Sequence, residues 1–511
     1  MISLALSFPG ASLSRAVVLA ASLFVCAAAS AFDFEDVARR AAALAEKPYQ
    51  PSTAKLPKDL ASLTYDRYRD IRFRPDQSLW RDQKLPFELQ FFSMGLFYDQ
   101  PVRMHEIVGG KATHIPFDPA LFDFGANRFD PSTWKGLEFA GFRAHYPINT
   151  PKYRDEVIAF LGASYFRAVG KDQRYGASVR ALAVDTALAS GEEFPRFTDF
   201  WLERPDAKAR ELVVYALMDS RRVAGAYKFV IRPGPETVID VTARLFLREN
   251  VSKLGIAPLT SMFFFGENQR PPSDDYRPEV HDSDGLLIQS GTGEWLWRPL
   301  VNPRRLLVTS FALTNPAGFG LMQHDRDFAN YQDLEARYDL RPSVWIEPRG
   351  QWGNGRVELV LIPTPDETND NVVAYWVPDE MPRVRQPFDI GYRMRFQRDP
   401  ETRPPQSWAT ASRRGHGYTK GTDSTLGFVV DFEGPALKKL PSDAMLEGVV
   451  TATSNGEVVE NIVARNSVTG GARIRVRVKR IDESKPVELR AFLRNEGNTI
   501  STTWSYIVPP N

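Results

Sequence analysis

Two acidic segments carry the residue types that could perform acid–base chemistry. The first is residues 279–285 (EVHDSDG), and the second is residues 365–371 (PDETNDN). Hydrolysis of a glycosidic bond needs only two carboxyl groups, one to protonate the leaving oxygen and one to activate water or attack the sugar carbon. Both segments are flanked by aromatic, strand-rich sequence, so a carbohydrate-cleaving groove is the first chemistry to consider.

Each segment also has a plain structural interpretation. If HDSDG is extended, Asp282 and Asp284 point to one face of the strand, and His281 and Ser283 point to the other. Asp-Gly also suits a tight turn, in which case Asp284 serves the turn and only Asp282 is chemical. Residues 366–370 could form a polar loop whose side chains cap backbone amides. The spacing alone leaves these alternatives open.

Motifs for cofactor or metal chemistry are missing from the sequence. It has no Gly-rich phosphate loop, no HExxH, no Cys/His cluster and no GxSxG in a supporting context. The six histidines are scattered without metal-ligand spacing. The sequence therefore predicts neither a cofactor nor a metal.

Aromatic side chains are dense around the acidic segments. Such rings can cover the apolar C–H faces of sugars, while carboxylates and arginines hold the hydroxyl groups. Trp295 and Trp297 are two positions apart, which places them on one face of a strand, as a stacking platform requires. Core packing is the alternative for any single tryptophan. The predicted substrate-binding residues are Phe265, Glu267, Trp295, Trp297, Arg298, Trp345 and Trp352.

The elements that position these residues follow an export leader. An apolar run over residues 16–28 leads into Ala-Ser-Ala, which predicts a signal peptide over residues 1–31 that is cleaved before Phe32. The run is shorter than the roughly 18 residues of a membrane-spanning helix.

Cleavage also changes the composition. It removes Cys26, the one cysteine, and Arg15, which leaves basic and acidic residues equal in number. We therefore expect a periplasmic protein without disulfides, and the even charge argues against nucleic acid as a partner.

The rest of the chain predicts a mostly β protein. Residues 34–45 have the spacing of one amphipathic helix, and a shorter helix is expected near residues 151–161. Elsewhere, apolar or alternating runs are interrupted by 38 prolines and by Gly and Asp, without βα alternation. This pattern favours a large antiparallel β-sandwich over residues 32–397, a linker and long loop over residues 398–423, and an immunoglobulin-like sandwich over residues 424–511.

Four segments also resemble a known family. They are residues 279–300, 315–328, 337–360 and 362–376, which include the motifs EVHDSDGLLIQSGTGEWLWRPL and IPTPDETNDNVVAYW. They closely resemble the osmoregulated periplasmic glucan biosynthesis G/D family, and the resemblance covers the whole mature chain. The absence of a twin-arginine export signal favours the G branch of that family.

The resemblance implies a fold and a reaction. Family members look like a galactose-mutarotase-like β-sandwich joined to an immunoglobulin-like domain, and they take part in making glucans with a β-1,2-linked backbone. Related members are inverting β-1,2-glucanases, whose two essential aspartates correspond to Asp282 and Asp370. Tyr338, Glu367 and Thr368 are implied beside the proton path. We expect Asp282 to act as the acid and Asp370 as the base through ordered water, although these roles could be exchanged.

Two functional classes remain open at this stage. The chain is either an enzyme that trims nascent β-1,2-glucan or a non-catalytic protein that receives glucan from the membrane synthase and passes it to branching enzymes. A mutarotase or epimerase rests on fold analogy alone. In glucanase-competent relatives a loop from a neighbouring subunit seals the proton path. The corresponding residues 413–423 are glycine-rich here, so we expect slow hydrolysis, and a homodimer stays open.

Overall fold

The computed structural model describes residues 31–52, 55–272, 274–415 and 424–510. The predicted signal peptide, apart from Ala31, lies outside the described residues and stays a prediction. From Phe32 onward the chain forms one compact unit. Among the described residues, no helix is both long enough and apolar enough to cross a membrane.

The N-terminal helix forms where the sequence predicts it, at Phe34–Ala45. The Asp33 side chain accepts the backbone N–H groups of Glu35 and Asp36, and Asp36 accepts the N–H of Asp33, which completes a capping box. The apolar face of the helix packs on the outer surface of a sheet. The other described α-helices are short: Lys58–Ala61, Tyr65–Arg69 and Pro435–Lys439.

The helix expected near residues 151–161 is wrong. Asp155–Leu161 is a strand that pairs on one side with Phe139–Tyr146 and on the other with Tyr165–Ala168. Its sequence, DEVIAFL, includes two adjacent β-branched residues that suit a pleated, half-buried surface. The two neighbouring strands satisfy its backbone, so tertiary pairing decides the conformation.

Two large sheets make up most of the protein, and the mostly β prediction is confirmed. Within the described residues, the first sheet has ten strands, in the order Glu88–Ser93, Phe139–Tyr146, Asp155–Leu161, Tyr165–Ala168, Ser178–Arg180, Leu254–Ser261, Val372–Pro378, Asn354–Leu361 and Leu307–Thr314, with Leu182–Val184 also paired to Leu254–Ser261. The second has fifteen, in the order Glu447–Ala452, Val487–Asn495, Thr503–Val508, Trp295–Pro299, Gly285–Gln289, Gly318–Met322, Ser343–Pro348, Phe388–Gln397, Thr237–Leu247, Val223–Arg232, Leu212–Asp219, Arg196–Glu203, Arg103–Val108 and Lys111–Ile115, with Asn498–Thr499 beside Val487–Asn495.

Smaller sheets complete the described strands. They are Phe263–Phe265 with Val280–His281, Arg72–Phe73 with Phe122–Asp123, and a four-stranded sheet of Trp408–Arg414, Thr425–Glu433, Ala472–Arg480 and Gly456–Arg465. The main core lies between the two large sheets, where Phe142 and Phe160 contact Phe200 and Phe229.

The C-terminal region is continuous with the main body through hydrogen bonds. Thr503–Val508 pairs in parallel with Trp295–Pro299, so C-terminal strands extend the fifteen-stranded sheet. In residues 473–479, Ile474, Val476 and Val478 are fully buried, as the alternation predicts. Trp408–Arg414 is a strand inside the segment expected to be linker or loop, while residues 416–423 lie outside the described residues. The subdivision into galactose-mutarotase-like and immunoglobulin-like domains stays a prediction.

Candidate active site

Asp282 lies directly after the short strand Val280–His281. Its backbone N–H donates to the Met262 carbonyl at 2.8 Å, and its side chain is only 6% exposed. The Arg341 guanidinium approaches Asp282 Oδ1 to 2.6 Å. Burial raises the pKa of Asp282 to about 6, with Arg341 opposing the shift and the charge of Asp370 adding to it. The carboxyl can therefore hold a proton near neutral pH.

Asp370 is brought to the same place by its neighbour, Asn371. The Asn371 side chain accepts the Phe263 N–H at 2.8 Å and donates to the Phe263 carbonyl at 3.0 Å. Phe263 in turn pairs with His281, next to Asp282. This clamp joins the second acidic segment to the strand pair that holds the first. As a result, Asp370 lies close enough to Asp282 for its charge to help raise the pKa of Asp282.

The environment of Asp370 is more open than that of Asp282. Its side chain is 31% exposed, and Oδ2 lies 3.5 Å from both Arg167 Nη2 and the Ser178 hydroxyl. A carboxylate held loosely by one cation and one hydroxyl keeps lone pairs free for a water molecule. Asp370 can therefore accept a proton from solvent-side water.

Of the residues implied beside the proton path, Tyr338 is connected to Asp282 through Arg341, and Glu367 and Thr368 lie in the loop that carries Asp370. Tyr338 is buried, and the Arg341 guanidinium lies 4.6 Å from its ring centroid. Burial raises the pKa of Tyr338, and the charges of Glu367 and Asp282 raise it further. Glu367 is paired with Arg277 at 2.7 Å. Thr368 is exposed, and its hydroxyl donates to Asp366 at 2.6 Å, so it is held within its own loop.

Sequence reasoning missed the residues that connect the site. Arg341, Arg167 and Asn371 each contact a residue distant in the chain. Arg341 and Asn371 lie inside the segments that carry the family resemblance, which was the signal available. Their partners could not be read from spacing, because each contact joins segments that are far apart in the sequence.

Asp284 lines a pocket that contains neither Asp282 nor Asp370. Asp284 Oδ2 accepts the backbone N–H groups of His324 and Asp325 at 2.9 and 3.0 Å. The chain bends at Asp282 and Asp284 instead of continuing the strand, so HDSDG is not extended and the condition for the two side chains to share one face is not met. The pocket has a volume of about 40 Å³, and its lining includes Glu267, Glu279, His281, Asp284, Trp297 and residues 410–412.

Two groups in this pocket have strongly shifted proton affinities. Burial raises the pKa of Glu267 to about 7, against the opposing Ser412 N–H and Arg413 charge. Burial alone would lower the pKa of His281, but its hydrogen bond to Glu279 at 2.8 Å and the nearby Asp284 raise it to about 9. Glu267, predicted to contact substrate, thus lies among other acids and away from Arg341.

Most of the predicted aromatic platform is packed inside the protein. Trp295 stacks on Trp345 with ring centroids 5.7 Å apart, and Trp297 stacks on the His324 ring at 4.0 Å. Phe265 is fully buried. Every residue of the strand Trp295–Pro299 is buried, and the strand lies between Gly285–Gln289 and Thr503–Val508 in the sheet. These rings therefore offer no open stacking face.

Arg298 and Trp352 have separate surroundings. Arg298 is buried, pairs with Glu488 and donates to the Ser505 hydroxyl at 2.9 Å, so it fastens the C-terminal strands to the main sheet. Burial lowers the pKa of Arg298 to about 9. Trp352 remains partly exposed and lines a cavity described below. In the part of the chain that the structure describes, no group of three or more His, Cys, Asp or Glu side chains could hold a metal ion.

Comparison with known proteins places the chain in a family. Residues 32–508 match the family model described as "Periplasmic glucan biosynthesis protein, MdoG". The chain is 60% identical over 489 residues to "Glucans biosynthesis protein G" of Ralstonia nicotianae, covering 94% of this chain and 97% of that protein. It is 50% identical to the protein of that name from Pseudomonas paraeruginosa, with 97% of each covered, and 48% identical to that of Pectobacterium atrosepticum, with 98% and 97% covered. The chain therefore belongs to the periplasmic glucan biosynthesis protein family.

Proposed function

We propose that this chain is a periplasmic protein of glucan biosynthesis that binds and slowly cleaves nascent β-1,2-glucan as an inverting endo-hydrolase. The family and its named relatives support glucan biosynthesis and the periplasm. The observation that carries the hydrolase proposal is the buried Asp282, whose pKa is raised to about 6 beside a second, accessible carboxyl. Paired carboxyls in contrasting environments suit an acid and a base.

Asp282 is the general acid in this proposal. Its proton moves to the glycosidic oxygen as the bond from that oxygen to the anomeric carbon breaks. The carboxylate left behind is stabilised by the Arg341 guanidinium at 2.6 Å. Since Arg341 also packs over Tyr338, the tyrosine holds the guanidinium against the carboxyl.

Asp370 is the general base. It takes a proton from water, whose oxygen attacks the anomeric carbon from the face opposite the leaving group, so the configuration inverts. Arg167 and Ser178 orient the carboxylate. Tyr338, Glu367 and Thr368 order the water chain between base and sugar. Proton return from Asp370 to Asp282 through solvent completes the cycle.

A non-catalytic glucan carrier is the second candidate, and the exposure of Asp370 favours it. A base that bulk water can reach loses part of the advantage of a sealed relay. Such a carrier would receive glucan from the membrane synthase and keep it extended. A carrier and a hydrolase would both bind glucan, so the two candidates differ only in whether the glucan is cleaved.

The test is incubation of the mature protein with linear β-1,2-glucan, followed by chain length and new reducing ends. We expect slow shortening by wild type, none by Asp282→Asn or Asp370→Asn, and unchanged shortening by Glu447→Gln, a surface carboxylate of the C-terminal region. Proton NMR of the first product formed reports the anomer. If wild type binds the glucan but leaves it intact, the hydrolase proposal is overturned and the carrier proposal takes its place.

A further inference from the structure

A second cavity opens between the ends of the two large sheets, with a volume of about 590 Å³. We call it the Trp352 cavity. Trp352 supplies its aromatic surface, with the buried Trp376 packed behind it, and the polar lining includes Asn315, Gln351 and residues 379–380. Nothing in the proposed cleavage mechanism uses it.

The Trp352 cavity lies at the far end of the strands that carry the cleavage site. In the ten-stranded sheet, Asp370 precedes Val372–Pro378 and Asp379 follows it. In the fifteen-stranded sheet, Arg341 precedes Ser343–Pro348 and Arg349 follows it. At about 3.3 Å per residue, each path from end to end spans roughly 25–30 Å. The two sites are therefore separate and face opposite ends of the sandwich.

Trp352 is held rigidly while part of its ring stays open. Its indole N–H donates to the Gly391 carbonyl at 3.3 Å, and its ring centroid lies 6.0 Å from that of Trp376. The loop around it is closed by two hydrogen bonds between Asn315 and Gly353, of 2.8 and 2.7 Å. Gly353 has a φ of 73°, which glycine adopts without strain. An aromatic face fixed in advance suits stacking, because little side-chain entropy is lost on binding.

The polar lining selects a neutral ligand rich in hydroxyl groups. The side chains of Gln351, Asp379 and Glu380 are exposed, and within the described residues they make no hydrogen bond or ion pair. The lining cation Arg349 is already paired with Asp240 at 3.1 Å. Unpaired acceptors accept hydroxyl protons well, whereas an anionic ligand would be repelled by both carboxylates.

We propose that the Trp352 cavity is a second carbohydrate-binding site, which holds a neutral glucan segment away from the cleavage site. The identity of that ligand rests on the function proposed above. A rigid tryptophan packs on a sugar face, while Asp379, Glu380 and Gln351 hold the hydroxyl groups. A chain bound here stays attached to the protein whether or not another segment is being cleaved.

The test is calorimetric titration of linear β-1,2-glucan into Asp370→Asn protein, in which the glucan stays uncut. We expect Trp352→Ala to weaken binding about 3- to 10-fold, as loss of one aromatic contact predicts. The double variant Asp379→Asn/Glu380→Gln touches only exposed side chains and should weaken it as well, even if Trp352→Ala folds poorly. Tyr153→Ala, an exposed aromatic outside both sites, is the matched control.

The outcomes separate the two proposals. If both folded cavity variants bind glucan as tightly as the parent protein, the second site is overturned. The hydrolase proposal then still holds, provided that wild type shortens glucan. Weaker binding in the variants, with no shortening by wild type, would support the second site and remove the hydrolase. No binding by the parent protein would overturn the second site directly.

Discussion

The two acidic segments are alike in composition and different in physical setting. In residues 279–285, Asp282 follows a paired strand and its side chain is 6% exposed. In residues 365–371, Asp370 ends a loop and its side chain is 31% exposed. Burial disfavours a charged carboxylate, so the pKa of Asp282 is raised, whereas solvent can reach Asp370. In the proposed mechanism, the acid and the base are thus distinguished by the elements around them.

The largest expected effect tests that division of roles. Asp282→Asn and Asp370→Asn should each lower the cleavage rate about 10²- to 10⁴-fold, the usual contribution of acid–base catalysis. With a nitrophenyl glucoside, whose leaving group needs no proton, Asp282→Asn should recover much of its rate and Asp370→Asn should not. Rates come from nitrophenol release. The opposite pattern would exchange the roles of the two aspartates.

A smaller effect should follow from removing the cation beside the buried carboxyl. Arg341 lowers the pKa of Asp282, so Arg341→Gln should raise that pKa and move the alkaline limb of the cleavage profile upward by about one pH unit. The measurement is initial rate between pH 4 and 9. Arg494→Gln, which breaks a surface pair with Glu447, should leave the limb in place. If the alkaline limb of the pH–rate profile does not move in Arg341→Gln, a group other than Asp282 controls that limb.

The pH dependence of stability should have opposite signs in the two segments. His281 has a raised pKa, so its contribution is complete below about pH 6.5 and is lost as pH rises toward 9, at no more than about 1.4 kcal/mol per pH unit. Hydrogen bonds from Thr368 lower the pKa of Asp366, so its contribution is lost only as pH falls below the ordinary value of 3.8.

Urea unfolding from pH 5 to 9 measures this difference. His281→Gln should flatten the decline above pH 6.5, whereas Asp366→Asn should leave that range unchanged. If the free energy of unfolding falls equally steeply above pH 6.5 in wild type and in His281→Gln, the Glu279–His281 pair is not the cause of that fall.

The smallest effect is expected in the exposed loop. Thr368→Val removes a hydroxyl that donates to Asp366, and we expect cleavage to fall about tenfold or less, as for loss of one hydrogen bond. Thr133→Val removes a comparable exposed hydroxyl bond to the Asp130 carbonyl and serves as the control. A loss as large as that of Asp370→Asn would make Thr368 a direct participant in the water chain.

Much of the fold could be predicted because it depends on local periodicity. The helix Phe34–Ala45 and the strand Ala472–Arg480 have apolar residues at the spacing of one buried face. Prediction failed at residues 155–161, where partners on both sides impose a strand. It also failed for the Trp295–Trp297 platform, because the two rings pack on Trp345 and His324, which belong to other segments of the chain.

The site was less predictable because it depends on contacts between distant segments. Asp282 could be proposed from its own surroundings, while Asp370 was selected only by family resemblance. The clamp from Asn371 to Phe263 spans 108 positions and leaves no local pattern. The ion pair of Arg341 with Asp282 is equally invisible to periodicity, although it tunes the acid.

The parallel pairing of Thr503–Val508 with Trp295–Pro299 also bears on how the protein folds. Ser505 and Arg298 meet across 207 positions of sequence, so this part of the sheet cannot close until Thr503–Val508 is present to pair. Such long-range pairing slows folding, and an unpaired strand exposed meanwhile invites association with other chains. Until then Arg298 lacks the Ser505 hydroxyl. Association between copies of the chain is therefore favoured most before Thr503–Val508 has paired.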